Sequence, residues 1–300
     1  MQRRHFVELA GAMAAGHLLG KDETLVGLTK PIPSSGERIP VIGMGTWLTF
    51  DVGRSSSDRA RLLSVLNNFF DRGGRVIDSS PMYGRAELVV GDLVPQIKPK
   101  PPLFSATKVW TPGRRLGVMQ MEASQKLWRV PKFDLLQVHN LVDWEGHLQT
   151  LKEWKANGRV RYIGVTTSHG RRHDELERIM RSEPLDFVQI TYSLADRSVE
   201  NRILPLAREQ KMAVIINRPL DGGELFDRVR GKAVPAWARE FDCTAWSQFF
   251  LKFVVSHPAV TCAIPATSQP AHMVENMGAG VGRLPDAPMR ARMASYFSTL

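Results

Sequence analysis

The sequence predicts an α/β fold, an eight-stranded (β/α)8 barrel, and three observations carry that prediction. From about residue 75 onward, short runs rich in Val, Ile, Leu and Phe recur about 25–30 residues apart, the spacing of βα units. Between them lie stretches whose apolar residues recur at helical spacing. With the run at 39–47 included, eight strand-like segments are available, the pattern of a TIM barrel. At 300 residues the chain is long enough for such a barrel as one domain, and its 43% apolar and 23% charged residues are ordinary for a globular protein.

The elements follow in order. The segments 25–29 and 38–42, separated by Pro33-Ser34-Ser35-Gly36, predict a β-hairpin that plugs the barrel floor. The first barrel strand is 39–47, and the others begin near 75, 103, 133, 160, 186, 212 and 260. A helix over 58–72 is predicted from Leu62, Leu63, Leu66, Phe69 and Phe70, with Gly73-Gly74 closing it in left-handed geometry. A second, over 147–157, carries the stripe Leu148, Leu151 and Trp154 and ends at Gly158. A third, over 173–181, presents Leu176, Ile179 and Met180, with Ser168 and Asp174 as candidate caps. The longer interval from 217 to 260 holds a loop over the mouth and a helix containing Trp246, Phe249, Phe250, Phe253 and Val254. No linker and no internal repeat is visible, so one domain is expected over 25–300, behind a segment 1–24 with a different character.

Composition narrows the function classes. The formal net charge is +10, yet the basic residues are scattered and form no stripe interleaved with aromatics. A phosphate-bearing cofactor or a solvated basic surface accounts for this balance, and nucleic acid is not the expected partner. The two cysteines, Cys243 and Cys262, form no CxxC motif and read as packed thiols. No apolar run approaches the ~18 residues of a spanning helix; 249–255 is short and contains Lys252. No extended apolar segment forces assembly, so a monomer is expected.

Four polar residues stand at the ends of three successive strands: Asp78 and Tyr83, then Lys108, then His139. Parallel barrel strands share one mouth at their C-terminal ends, so these side chains should converge there. Singly, each has a bland role: a helix cap, half-buried packing, a surface charge and a core histidine. Together, a carboxylate, a phenol, an amine and an imidazole make a proton-transfer site. A phenol with a pKa near 10 is a reluctant acid. An adjacent Lys108 ammonium favours the phenolate and should lower that pKa. Asp78 would pair with Lys108 and compensate its buried charge. His139 would either orient a carbonyl oxygen or assist a proton relay.

Several motifs then carry a resemblance. IDSSPMYG (77–84), SATK (105–108), LQVHN (136–140), GRVRYIGV (158–165), DFVQITYS (186–193) and Ile264-Pro265 with Glu275-Asn276 are similar to motifs of the aldo-keto reductase superfamily. The resemblance runs from about 43 to 277 and is nearest to bacterial members with a twin-arginine leader. It implies reversible hydride transfer between a nicotinamide cofactor and an aldehyde or ketone, with Tyr83 as proton donor. It also implies a substrate pocket walled by Trp47, with Met82 and Trp110 beside it.

The implied cofactor lies extended across the mouth, without a GxGxxG turn. Gln189 matches the residue that grips the nicotinamide carboxamide, and Gly45 and Thr46 lie on the same rim. Thr166-Thr167 stand where Ser-Asn is common, and Asn217 where an aromatic often stacks. Arg218, with the backbone around Leu220, Gly222 and Gly223, is assigned to the pyrophosphate. Pro265, Ala266, Thr267, Ser268, His272, Glu275 and Asn276 match the adenosine segment. Ala266 and His272 replace basic residues, yet NADP(H) is expected over NAD(H).

Two alternatives stand beside this reading. One is a metal-dependent barrel hydrolase using His169 and His173 at i,i+4 spacing with His139 and Asp78. The other is a non-catalytic nicotinamide-binding subunit on the same fold. At the N-terminus, Arg3-Arg4-x-Phe6-Val7 and a weakly apolar stretch resemble a twin-arginine export signal, interrupted by Glu8 and His17, with the early small-residue site Ala12-Met13-Ala14. That resemblance implies the twin-arginine export machinery as a partner and a periplasmic location; without it the location would be cytoplasmic.

Overall fold

The computed structural model describes residues 27–300. The twin-arginine-like segment lies outside the described residues.

Strands β1 (Thr29–Pro31) and β2 (Arg38–Pro40) form an antiparallel hairpin. Strands β3 (Met44–Gly45), β4 (Val76–Asp78), β5 (Phe104–Val109), β6 (Phe133–Val138), β7 (Val160–Thr166), β8 (Phe187–Thr191), β9 (Ala213–Asn217) and β10 (Cys262–Ala263) form one parallel eight-stranded sheet in sequence order. Parallel bridges Ile42↔Ala263 and Gly45↔Ala266 join its first and last members. The seam is tight: a Cβ on Gly45 would sit 2.9 Å from the Ile264 carbonyl oxygen. Glycine at 45 therefore serves barrel closure, whatever it offers a ligand.

Burial on both faces explains why these strands read as continuous apolar runs. Period-two alternation nevertheless sorts their side chains. Val76, Phe104, Ala106, Leu135, Tyr162, Phe187, Ala213, Ile215, Cys262 and Ile264 point inward and pack with Ile32 and Ile39 of the hairpin. Ile77, Val109, Leu136, Val138, Ile163, Val165, Val188, Ile190, Val214 and Ile216 point outward into the helical layer. Ile32 and Ile39 thereby fill the floor, as expected. The Tyr162 hydroxyl lies 2.8 Å from both Ser35 Oγ and Glu37 Oε2 on the hairpin turn. Of the expected first hairpin strand, residues 25 and 26 lie outside the described residues; among those described, β1 begins at Thr29 and runs on to Pro31. Its register, Thr29 opposite Pro40, follows from a turn in which Ile32 O accepts from Gly36 N (2.8 Å).

The main helices are α1 (Ser56–Asp71), α2 (Ala86–Leu93), α3 (Arg114–Trp128), α4 (Trp144–Ala156), α5 (His173–Ser182), α6 (Ile203–Glu209), α7 (Glu224–Arg228), α8 (Trp246–Val255), α9 (Pro270–Gly278) and α10 (Ala287–Ser298). Ser55 Oγ caps α1 through Asp58 N (3.3 Å), and the helix ends as expected at Gly73, where φ is +80°. The capping expected of Ser168 and Asp174 is not found. The residue preceding α5 is Arg172, with no side-chain cap. Left-handed backbone at His169, Gly170 and Arg172 turns the chain away, so Ser168 Oγ reaches Asn140 Oδ1 (3.3 Å) instead. Lys252 does not interrupt the apolar face of α8. It is fully buried and donates to the carbonyls of Val281 (2.6 Å) and Arg283 (2.8 Å). Among the described residues, no helix is long and apolar enough to cross a membrane.

Candidate active site

The alternation that fills the barrel floor with apolar groups also builds the site. Continuing each inward-facing row towards the strand ends changes its chemistry: Asp78 follows Val76, Lys108 follows Ala106, and Gln137 and His139 follow Leu135. Thr166 follows Tyr162 and Gly164, and Gln189 and Thr191 follow Phe187. All of these polar residues are buried. In-register pairing places Lys108 beside Gln137 and Thr166 beside Gln189.

At the centre, Lys108 Nζ donates to Asp78 Oδ2 (2.5 Å) and to the Ser79 carbonyl (2.7 Å). Asp78 Oδ1 accepts from Gln189 Nε2 (3.0 Å) and Gln137 Nε2 (3.3 Å). Burial alone would lower the Lys108 pKa, but Asp78 and then Tyr83 outweigh it, so its pKa is raised and the amine stays charged.

Tyr83 lies beyond β4 on the loop that leads to α2, with its ring centroid 5.2 Å from Lys108 Nζ. A turn holds it: Tyr83 N donates to Ser80 O (2.9 Å), and Asp51 Oδ1 accepts from Arg85 N (2.9 Å). The expected lowering of its pKa is corrected. Burial raises it above the ordinary 10.0, and the opposing pull of Lys108 is the smaller effect. The phenol therefore keeps its proton at neutral pH.

His139 meets Tyr83 edge-on, with centroids 5.8 Å apart. Its pKa is pushed down to about 3 by burial and then by the Lys108 charge, so the ring is neutral. Its Nδ1 is 2.9 Å from Ser80 Oγ.

Trp47 (40% exposed), Met82 (42%) and Trp110 (42%) follow the C-terminal ends of β3, β4 and β5 and remain exposed there. Leu48 (73% exposed), absent from the sequence reading, is the exposed residue next to Trp47 in the chain.

The residues expected to hold a cofactor divide by how they are engaged. Thr167 Oγ1 is buried and has no hydrogen-bond partner among the described residues. Its backbone N donates to Gln189 O (2.9 Å), which ties Thr167 to the end of the strand that carries Gln189. A polar side-chain atom still unpaired at the barrel mouth fits a polar group such as a nicotinamide carboxamide. Thr166 Oγ1 already accepts from Asn140 N (3.0 Å). Gln189 spends its amide nitrogen on Asp78, which leaves its carbonyl end for a ligand.

Asn217 is tied to Thr191 Oγ1 (2.7 Å) and the Thr167 carbonyl (2.9 Å), which fixes it as a bracket under the mouth. Arg218 is paired with Asp221 at 3.3 Å, in the loop with Leu220, Gly222 and Gly223. Thr46 Oγ1 bonds Ser79 Oγ (2.8 Å), a contact internal to the barrel. Thr267 Oγ1 accepts from Gln269 N (3.0 Å) ahead of α9, beside Pro265, Ala266 and Ser268. On α9, Asn276 is buried, His272 is exposed, and Glu275 accepts from Ser247 Oγ (3.1 Å).

Sequence reasoning missed Ser80, Gln137 and Asn140. Gln137 had a visible signal, an amide inside an otherwise apolar strand interior. Ser80 and Asn140 had none outside their motifs. His169 and His173 do not join His139 and Asp78. Among the described residues, no group of three or more His, Cys, Asp or Glu is placed to hold a metal ion.

A parallel barrel with a phenol, a paired buried lysine and a neutral imidazole at its mouth defines an oxidoreductase of the carbonyl-reducing class. The chain matches the Aldo/keto reductase family over residues 41–293, and it belongs to that family. It is 28% identical over 257 residues to "Methylglyoxal reductase YeaE" of Escherichia coli, covering 82% of this chain and 88% of the relative. It is 23% identical over 243 residues to "NADH-specific methylglyoxal reductase" of the same organism, covering 70% and 72%. Among solved structures, an aldo-keto reductase from Klebsiella pneumoniae in complex with NADPH superposes with a TM-score of 0.72 at 23% identity, covering 91% of this chain and 96% of that one. The reaction class is NAD(P)H-dependent carbonyl reduction, and both the hydrolase and the non-catalytic alternatives fall away.

Proposed function

We propose that this protein reduces small aldehydes and ketones to alcohols at the barrel mouth, with Tyr83 as the proton donor. The observation that carries this reading is the Lys108–Asp78 pair, 2.5 Å apart and wholly buried beneath Tyr83. When bound, the nicotinamide cofactor supplies the hydride. Negative charge then grows on the substrate oxygen, and Tyr83 releases its proton to that atom. Lys108 stabilises the resulting phenolate by charge, while Asp78 keeps the ammonium in place. His139, neutral at working pH, hydrogen-bonds the same substrate oxygen and orients it. Trp47, Leu48, Met82 and Trp110 exclude water around it.

The two methylglyoxal reductases among the relatives support α-oxoaldehydes as the first substrates to test. NADPH is proposed over NADH. Thr267 and Ser268 ahead of α9 support a 2′-phosphate, whereas Ala266, His272 and the NADH-specific relative weigh against it. We further infer that 1–24 is a twin-arginine leader ahead of a domain over 25–300, exported to the periplasm as a monomer. Cell fractionation with N-terminal sequencing of the mature protein tests this: full-length protein in the cytoplasm would overturn it.

The central test follows consumption of NADPH and of NADH with methylglyoxal and a panel of aromatic aldehydes. Tyr83→Phe should lower turnover at least about 100-fold, with NADPH affinity by fluorescence titration unchanged. Wild-type turnover in that variant refutes the donor role, and equal use of NADH refutes the cofactor preference.

A further inference from the structure

Ser80 is fully buried two residues beyond Asp78, and its hydroxyl has two partners among the described residues. It accepts from Met82 N (3.2 Å) and lies 2.9 Å from His139 Nδ1. A serine hydroxyl carries one proton and two lone pairs. The Met82 amide can only donate, so it occupies a lone pair. If His139 carried its proton on Nδ1, Ser80 Oγ would accept twice and its own buried hydrogen would have no acceptor. If Ser80 donates to Nδ1 instead, the Met82 amide, both functions of the Ser80 hydroxyl and His139 Nδ1 are all satisfied, and Nε2 is left for a ligand. The proton of the neutral imidazole then resides on Nε2.

We propose that Ser80 is a positioning residue that fixes His139 as the Nε2–H tautomer, making it a hydrogen-bond donor to the substrate oxygen. The proposal deepens the carbonyl-reduction reading and rests on it. The hydroxyl also couples the two halves of the site. Accepting from Met82 N, it pins the loop one residue before Tyr83, the side-chain-to-backbone turn typical of serine. Donating to Nδ1, it sets the face that His139 presents beside the Tyr83 ring. In the relay alternative for His139, Nδ1 would draw its proton from Ser80 Oγ, whose other partner among the described residues, the Met82 amide, cannot resupply one. The geometry therefore favours orientation over relay.

The test combines nitrogen-15 NMR of histidine-labelled protein with kinetics. The chain has 8 histidines, and loss of one signal in His139→Asn assigns the relevant ring. The wild-type ring should show a protonated Nε2 and an unprotonated Nδ1 across neutral pH. Ser80→Ala should give a mixture of tautomers and lower kcat about tenfold, the scale of one hydrogen bond, with NADPH affinity unchanged. Ser80→Thr, which keeps the hydroxyl, should retain the wild-type tautomer.

A proton on Nδ1 in the wild type overturns the proposal. So does an unchanged tautomer in Ser80→Ala, whatever its kcat, and so does unchanged kcat with a mixed tautomer. The NMR arm reads the free protein, so it gives its answer even if carbonyl reduction itself is not found.

Discussion

At the residue scale, the site turns on how a lysine is kept charged where water is excluded. Lys108 has no exposed surface, and its ammonium is matched by Asp78, which in turn receives amide protons from Gln189 and Gln137. Replacing Lys108 by Met would leave the Asp78 carboxylate buried without a cation. Loss of one partner of a buried pair costs about 3–5 kcal/mol. Lys108→Met should therefore lose stability of that size in urea unfolding as well as turnover. A variant that is inactive but fully stable would show that the pair is not the buried unit described. The same surroundings explain Tyr83. Its neighbours were legible in the sequence, and so was the direction of the Lys108 effect. The net shift was not, because desolvation depends on how much protein covers the ring, and no residue spacing reports that.

At the scale of elements, the strands act as rulers. Apolar runs ending in a polar residue were visible in the sequence, so Asp78, Lys108 and His139 at one mouth followed from parallel pairing. What lay hidden is the bracing between elements. Glu87 on α2 is buried and accepts from Thr107 Oγ1 on β5 (2.5 Å) and from Ser124 Oγ (2.7 Å) and Trp128 Nε1 (3.1 Å) on α3. Burial raises its pKa, with the three hydrogen bonds opposing that shift. This junction joins the helix that follows Tyr83 to the residue preceding Lys108. Glu87→Leu would strand three buried donors, so a stability loss of about 1–3 kcal/mol is expected, read by chemical denaturation. Unchanged stability would mean that the helices do not depend on this carboxyl. In sequence, Glu87 is an ordinary acidic residue in the first turn of a helix.

At the scale of the whole molecule, burial of neutral imidazoles makes the fold acid-sensitive. His139 is held at about 3 and His257 at about 4, both below the ordinary 6.5. Burial is the leading cause for each, and His257 Nδ1 also accepts from Ala259 N (3.2 Å). A histidine whose folded pKa lies below its unfolded value binds fewer protons when folded. Stability should thus fall as pH drops below about 6.5, and keep falling until the folded sites titrate near 3 and 4. Thermal melting between about pH 7 and about pH 4 tests this. His257→Gln should flatten part of the slope, and an equally steep slope would assign the acid sensitivity to other groups.

The sequence by itself determined the barrel, the floor hairpin and the four residues at the mouth. Those depend on local periodicity and on which residue types end each strand, and both are written in order along the chain. Tertiary structure alone decided which hydroxyls and amides are already spent. Thr166 serves Asn140, Asn217 brackets two strands, Gln189 holds Asp78, and Thr167 is left orphaned. It also decided that Tyr83 keeps its proton and that His139 is neutral. These outcomes turn on distance and desolvation between residues far apart in sequence, quantities that exist only once the barrel has closed.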